Sequence, residues 1–270
     1  MPKLKFKFLS RPGWHIEDTA ITEKELGQQY DLHGGAIDLI FPHHEAEIAQ
    51  MESISGKKPF VKYWMHAGFL QVNKERMGKS KGNFSIARDV LQEYNKNIIR
   101  FLFLSTHYRK SLEFSEEALE QAKNTLQKLN EFMITLENYK SEVKDNIKIN
   151  KLIEKSKKNF IKEMNNDFDT HNGMAVIFEF MKEVNKMLSV KNLSNNDIKH
   201  VIKFMRDIDS VFGILEEKSE IPKNIILLAN EREDARKKKD FKTSDKIRDE
   251  LKKLGYYVND TDNGYIIKKL

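Results

Sequence analysis

No cysteine occurs among the 270 residues, which excludes a disulfide framework and any thiolate metal ligand supplied by this chain. No apolar run reaches the roughly 18 residues needed to cross a bilayer. Met1 to Ser10, where lysines alternate with Leu4, Phe6 and Phe8, lacks the long apolar core of a signal peptide. A cytoplasmic location without a membrane partner is the resulting expectation. Repeats and low-complexity tracts are also missing. Charge of one sign is not in large excess: 47 Lys and Arg against 41 Asp and Glu leave a net charge of +6. That balance permits a polyanionic partner without demonstrating one.

What is present is a helix-rich globular composition, 39% apolar and 33% charged, long enough for one to three domains. The first 115 residues read as mixed α/β. Leu32, Ile37, Leu39 and Ile40 lie among Gly34, Gly35 and Pro42, as in a strand leading through a turn, and Pro42 is placed to start a helix carrying Ala46, Ile48, Ala49 and Met51. The run from Ile98 to Leu104 fits a buried helix or a buried strand.

From Ser115, a plausible N-cap, Leu119, Ala122, Leu126, Leu129, Met133 and Leu136 recur at steps of three and four and define one long amphipathic helix. Further stripes follow around Ile153, Phe160 and Met164, along Met174 to Leu188, and along Ile198 to Phe212 ahead of Gly213. Each stripe needs a facing one to leave water, so a helical bundle is expected. After a linker at Glu216 to Pro222, a basic helix from Glu231 to Leu254 capped by Gly255 leads into a hairpin. Its strands carry Tyr256, Tyr257 and Val258 against Tyr265, Ile266 and Ile267 about an Asn263-Gly264 turn. The domain expectation is 1–114, 115–215 and 216–270.

Three blocks carry chemistry. His43 and Glu47 stand four apart, on one face of a helix; such a pair can meet one metal ion or make a surface hydrogen bond. Arg76-Met77-Gly78-Lys79-Ser80 is a basic loop, and His33-Gly34-Gly35-Ala36-Ile37-Asp38-Leu39 is a glycine turn ahead of a carboxylate. Glycines there let a backbone approach a nucleotide closely, and Asp38 can accept from a ribose or an ammonium group.

Taken with Arg11-Pro12-Gly13-Trp14-His15-Ile16-Glu17 and the run Phe41 to Glu47, these blocks resemble the second half of the catalytic domain of cysteinyl-tRNA synthetase, a class I aminoacyl-tRNA synthetase. The resemblance extends in order from Arg11 to Gly264 and implies part of a Rossmann-like catalytic domain, a helical bundle, and a small helix-plus-hairpin domain. It implies ligation of cysteine to tRNA with ATP, magnesium accompanying the ATP. His43 and Glu47 would be zinc ligands, and Trp14 would floor the amino-acid pocket. The basic loop is similar to the family's Lys-Met-Ser-Lys-Ser loop, with Arg76, Lys79 and Ser80 at the ATP phosphates, Lys79 as the catalytic cation, and Gly34, Gly35 and Asp38 completing the ATP site. Arg236, Lys237, Lys238 and Lys239 would contact tRNA, although lysine-rich helices are often merely solvated.

Two departures from the family stand out. Glu17-Asp18-Thr19-Ala20 occupies the place of the family's Glu-Cys-Ser-Ala, so Asp18 is either an oxygen ligand or a carboxylate with no metal role. The family's His-x-Gly-His turn occurs nowhere among the eight histidines. Three readings follow: a ligase portion whose other half comes from a separate polypeptide, a non-catalytic tRNA-binding paralogue, or an inactive truncated fragment. A related ligase joining cysteine to an amino sugar is disfavoured by the C-terminal helix and hairpin. Half a parallel sheet is also expected to leave an unpaired edge and an uncovered face.

Overall fold

The computed structural model describes residues 12–216, 222–261 and 264–269; most of the expected linker and Asn263 of the expected turn lie outside these. The chain forms two compact units, Met1–Leu215 and Glu216–Leu270.

In the first unit, α1 (Trp14–Leu26) ends at Gly27, whose φ of 85° takes the left-handed side that glycine tolerates. Strand β1 (Tyr30–Ala36) pairs in parallel with β2 (Val61–Ala67), with Leu32 opposite Tyr63 and His33 opposite Trp64. Between them runs α2 (Glu45–Ser55), which starts three residues later than the proline signal implies. Phe41 is extended, at φ −136° and ψ 133°, as the residue before a proline prefers, and it kinks the turn over Ile40–His44 that follows the one over Ile37–Leu39. Helical hydrogen bonding therefore settles only at Glu45.

Next come β3 (Leu70–Val72) and β4 (Glu75–Arg76), an antiparallel pair joined through Asn73 and Lys74, both left-handed. Their backbone N–H groups donate to the Glu113 carboxylate at 2.7 and 3.2 Å. After α3 (Ala87–Glu93), the ambiguous apolar run resolves as α4 (Lys96–Leu104). The Asn95 side chain accepts from Asn97 N, and Ile98, Phe101 and Leu102 are buried at helical spacing. Strand β5 (Leu112–Glu113) then adds to β3 in parallel.

The bundle follows the sequence pattern closely. Ser115 caps α5 (Glu116–Asn138) by accepting from Ala118 N, and all six stripe residues are buried. Helices α6 (Ile147–Asn165), α7 (Thr170–Ser189) and α8 (Asn195–Phe212) complete it; Gly213, at φ 61°, closes α8. One apolar core unites α4 and Leu112 with these helices, from Ile98 through Leu129, Phe180 and Val201 to Leu215. No helix among the described residues is long and apolar enough to cross a membrane.

The second unit corrects one expectation. In place of a single helix from Glu231, α9 (Lys223–Lys237) and α10 (Phe241–Lys253) form a hairpin, broken at Lys238–Asp240 where Lys239 is left-handed at φ 61°. Asp240 caps α10 by accepting from Thr243 N. The break has a packing reason: Ile225 and Ala229 bury against Ile247 and Leu251, which one straight helix could not bring together. Strands β6 (Tyr256–Thr261) and β7 (Gly264–Lys269) form the antiparallel hairpin, with Val258 opposite Ile267.

Candidate functional site

Three donors from three segments meet between α1 and α2. His43 sits in the turn before α2, Glu47 in its first turn, and Asp18 on α1. One donor atom from each lies within 4.8 Å of the others. His43 Nε2–H donates to Asp18 Oδ2 at 3.0 Å. The same nitrogen lies 2.8 Å from Glu47 Oε1, but without the alignment of a hydrogen bond, so both Glu47 carboxylate oxygens are unsatisfied although the residue is only 1% exposed. An orphaned buried carboxylate costs on the order of 1–3 kcal/mol or more of desolvation unless a cation or proton compensates it. Burial accordingly pushes the Glu47 carboxyl above its usual range, partly opposed by His43. One imidazole and two carboxylates around an unsatisfied oxygen are a donor set that fits a divalent cation.

Behind these donors lies a block of aromatic rings that sequence reading missed. Trp64 on β2 stacks on His33 of β1 at 4.7 Å between centroids and lies 4.9 Å from His44 and 5.9 Å from His66. His44 Nδ1 and His66 Nε2 share a hydrogen bond of 2.8 Å. Burial, then the neighbouring histidines, hold His44 down to about 4. Tyr30 O–H donates to His33 Nδ1 at 2.5 Å, and that nitrogen lies 3.8 Å from Glu47 Oε2. Burial and the Glu47 charge push the Tyr30 hydroxyl up to about 12. The one signal available was alternation: Trp64 and His66, two apart, share a face of β2.

The glycines of the turn have a packing role. A Cβ on Gly35 would lie 2.5 Å from His44 Cε1, whereas one on Gly34 would meet nothing closer than 4.0 Å. Asp38 and Arg76, both assigned to ATP from sequence, contact each other: Arg76 Nη2 is 2.9 Å from Asp38 Oδ2, and the guanidinium lies 4.0 Å over the Phe69 ring. Asn83 staples the loop, accepting from Gly78 N at 2.9 Å and donating to the Arg76 carbonyl at 3.3 Å. Lys81 is paired with Glu75 at 3.2 Å. Lys79 and Ser80 are exposed, and Lys79 has no ion-pair partner among the described residues.

Trp14 opens α1 and is 73% exposed, so the tryptophan packed against the histidines is Trp64. In the second unit, Arg236 and Lys237 end α9 while Lys238 and Lys239 form the turn, all four exposed. Arg232, one turn earlier on α9, is by contrast buried, at 2% exposure.

Comparison with known proteins agrees with this layout. Residues 8–124 match the tRNA synthetases class I (C) catalytic domain, 159–216 the DALR domain, and 222–265 the cysteinyl-tRNA ligase anticodon binding domain. The cysteine–tRNA ligase of Bacillus pumilus (strain SAFR-032) is 41% identical over 259 residues, covering 94% of this chain and 55% of the relative. That of Thermococcus gammatolerans (strain DSM 15229 / JCM 11827 / EJ3) is 40% identical over 277 residues, covering 96% and 57%. The LeuRS of Agrobacterium radiobacter K84 agnB2, from a crystal structure of its ternary complex with tRNA and LeuAMS, superimposes with a TM-score of 0.52 over 67% of this chain and 26% of that one; at 12% identity the likeness is one of fold. Three domain matches in succession, with 40% identity sustained across nearly the whole chain, make this protein a member of the cysteine–tRNA ligase family, spanning about half the length of the curated relatives it matches.

Proposed function

We propose that the chain contributes the metal-binding and phosphate-loop part of a cysteine–tRNA ligase, together with its RNA-contacting domains. In the overall reaction the cysteine carboxylate attacks the α-phosphate of ATP and expels pyrophosphate. The adenylate then passes cysteine to the terminal adenosine of tRNA, without a covalent enzyme intermediate. The observation that carries this reading is the buried Glu47 carboxylate, whose oxygens accept no hydrogen bond, beside His43 and Asp18 in a chain with three successive synthetase domain matches.

Lys79, exposed on a loop held down by Asn83, is free to follow the charge that builds on the phosphates, with Ser80 beside it and magnesium accompanying the ATP. Arg76 and Asp38, already paired, set where that loop sits. Gly34 leaves an open approach for the nucleotide, whereas Gly35 is taken up by His44. Trp14, exposed, is available to floor the amino-acid pocket. Zinc held by His43, Glu47 and Asp18 would bind the substrate thiolate, the chemical feature that separates cysteine from serine where shape does not. The exposed basic corner at Arg236, Lys237, Lys238 and Lys239 is suited to tRNA phosphates.

The rest of the nucleotide-binding fold comes, in this reading, from a further polypeptide segment that covers the open face of the β1–β2 pair. The test is cysteine-dependent exchange between pyrophosphate and ATP. The chain alone should show none. Adding the part of the Bacillus pumilus relative that this chain does not span should restore exchange, and Lys79→Ala should cut it by about a hundredfold or more. Exchange by the chain alone, or exchange indifferent to Lys79→Ala, refutes the assignment. Failure of complementation with tRNA binding intact supports the non-catalytic paralogue instead.

A further inference from the structure

Asp18 is flanked on α1 by two residues of a hydrogen-bond network that spans α1 and α2. It lies on α1 between His15 and Thr19, and both neighbours bond Gln50, which stands three residues beyond Glu47 on α2. Gln50 Nε2 donates to His15 Nδ1 at 2.7 Å. Thr19 Oγ1 lies 2.9 Å from Gln50 Oε1 and 2.7 Å from the His15 carbonyl, its one hydrogen shared between them. Thr19 is buried, and the His15 ring meets the His43 ring edge-on at 6.2 Å. A carboxylate with no role would not need its helix fixed on both sides against the helix that carries Glu47. The network sets the separation of α1 from α2 at the level of the donors, and with it the approach of Asp18 Oδ2 to within 3.0 Å of His43 Nε2.

We propose that Asp18 is a built metal ligand, positioned by the Gln50–His15–Thr19 network, and that it makes every donor from this chain nitrogen or oxygen. The inference rests on the reading of this cluster as a metal centre and goes beyond it in selectivity. A thiolate at the Asp18 position would favour a soft or borderline cation. A carboxylate there, beside a second carboxylate and one imidazole, narrows the preference for Zn²⁺ over harder ions such as Mn²⁺. Any sulfur at the centre has to come from outside this chain. Gln50, His15 and Thr19 act as positioning residues, since they touch the ligand-bearing helix and not the cation.

The experiment is titration of the intact chain with Zn²⁺, Co²⁺ and Mn²⁺, with the visible and near-ultraviolet absorption of bound Co²⁺ as a second readout. Asp18→Ala, Asp18→Asn and Gln50→Ala should each weaken Co²⁺ binding by about tenfold or more, the range over which outer partners of metal ligands act. The Gln50 variant should also change the Co²⁺ spectrum, which a purely structural loss elsewhere would not. Asp18→Cys should raise the ratio of Zn²⁺ to Mn²⁺ affinity by about tenfold or more and add a sulfur-to-cobalt charge-transfer band absent from the parent. Asp18→Asn keeps the side-chain shape, so a folding failure of the alanine variant does not leave the question open. If both Asp18 variants bind Co²⁺ as the parent does while His43→Ala does not, Asp18 is no ligand and the metal reading survives without it. If the parent binds none of the three ions, both inferences fall.

Discussion

A methyl group on Gly35 would sit 2.5 Å from Cε1 of His44, a ring that is itself only 3% exposed and hydrogen-bonded to His66. Gly35→Ala therefore has to displace His44 from its contacts with Trp64 and His66, at a cost of about 1–3 kcal/mol typical of overpacking. Urea unfolding of the variant should show that loss, whereas Gly34→Ala, with 4.0 Å of clearance, should cost far less. Equal losses at the two positions would show that backbone conformation and not the ring dictates glycine here. From sequence alone both glycines read as room for a nucleotide. The i, i+4 pair His43 and Glu47 was legible because helical spacing puts both on one face. Tyr30, Trp64 and His66 were not, because a parallel pairing across an intervening helix brought them together.

The turn between α6 and α7 is held by charge. Its Asp167 is left-handed at φ 55°; it accepts from Tyr108 O–H at 2.6 Å and is gripped by the Arg109 guanidinium. The Arg109 and Tyr108 hydrogen bonds hold the Asp167 carboxyl down at about 2, below its ordinary 3.8. A depressed carboxyl stabilises the fold above its unfolded value and loses that contribution as pH falls through the folded one. Asp167→Asn should thus be less stable than the parent near neutral pH, and the gap in urea midpoint should close as pH drops from about 4 towards 2. A gap that stays constant over that window would mean the amide, not the charge, matters.

The corner between α9 and α10 carries a second element-scale expectation. Replacing Lys237, Lys238 and Lys239 by alanine should weaken binding of all tRNAs alike and flatten the salt dependence by roughly one unit of slope for each phosphate no longer neutralised. Filter binding at several salt concentrations reads both quantities. Binding equal to the parent at every salt concentration would assign these lysines to solvated surface. Their sequence was clear, but their placement was not: the left-handed Lys239 and the Asp240 cap turn a supposed straight helix into a bend.

At the scale of the first unit, the β1–β2 pair carries the histidine and tryptophan rings on one side, and on the other Leu32, 53% exposed, and Tyr63, 69% exposed, lie opposite each other in register. Parallel strands are normally covered on both faces. The isolated chain should therefore associate as its concentration rises, and Leu32→Lys with Tyr63→Lys should shift it towards the single-chain mass in light scattering after gel filtration. An unchanged mass distribution would place the self-association, if any, elsewhere.

Periodicity and end signals in the amino-acid sequence by themselves determined the bundle, down to the Ser115 cap, the six-residue stripe of α5 and the stop at Gly213, because local spacing dictates which face of a helix must leave water. Motif order likewise determined the family and the His43–Glu47 pair. Tertiary structure alone decided that the apolar run at Ile98 is helical, that Arg76 and Asp38 answer each other, that Asp18 meets His43, and that Gln50 ties α2 to His15 on α1. The side-chain contacts among these join segments up to 38 residues apart at 2.7 to 3.0 Å, and contact at that range is set by how elements pack, which no local spacing encodes.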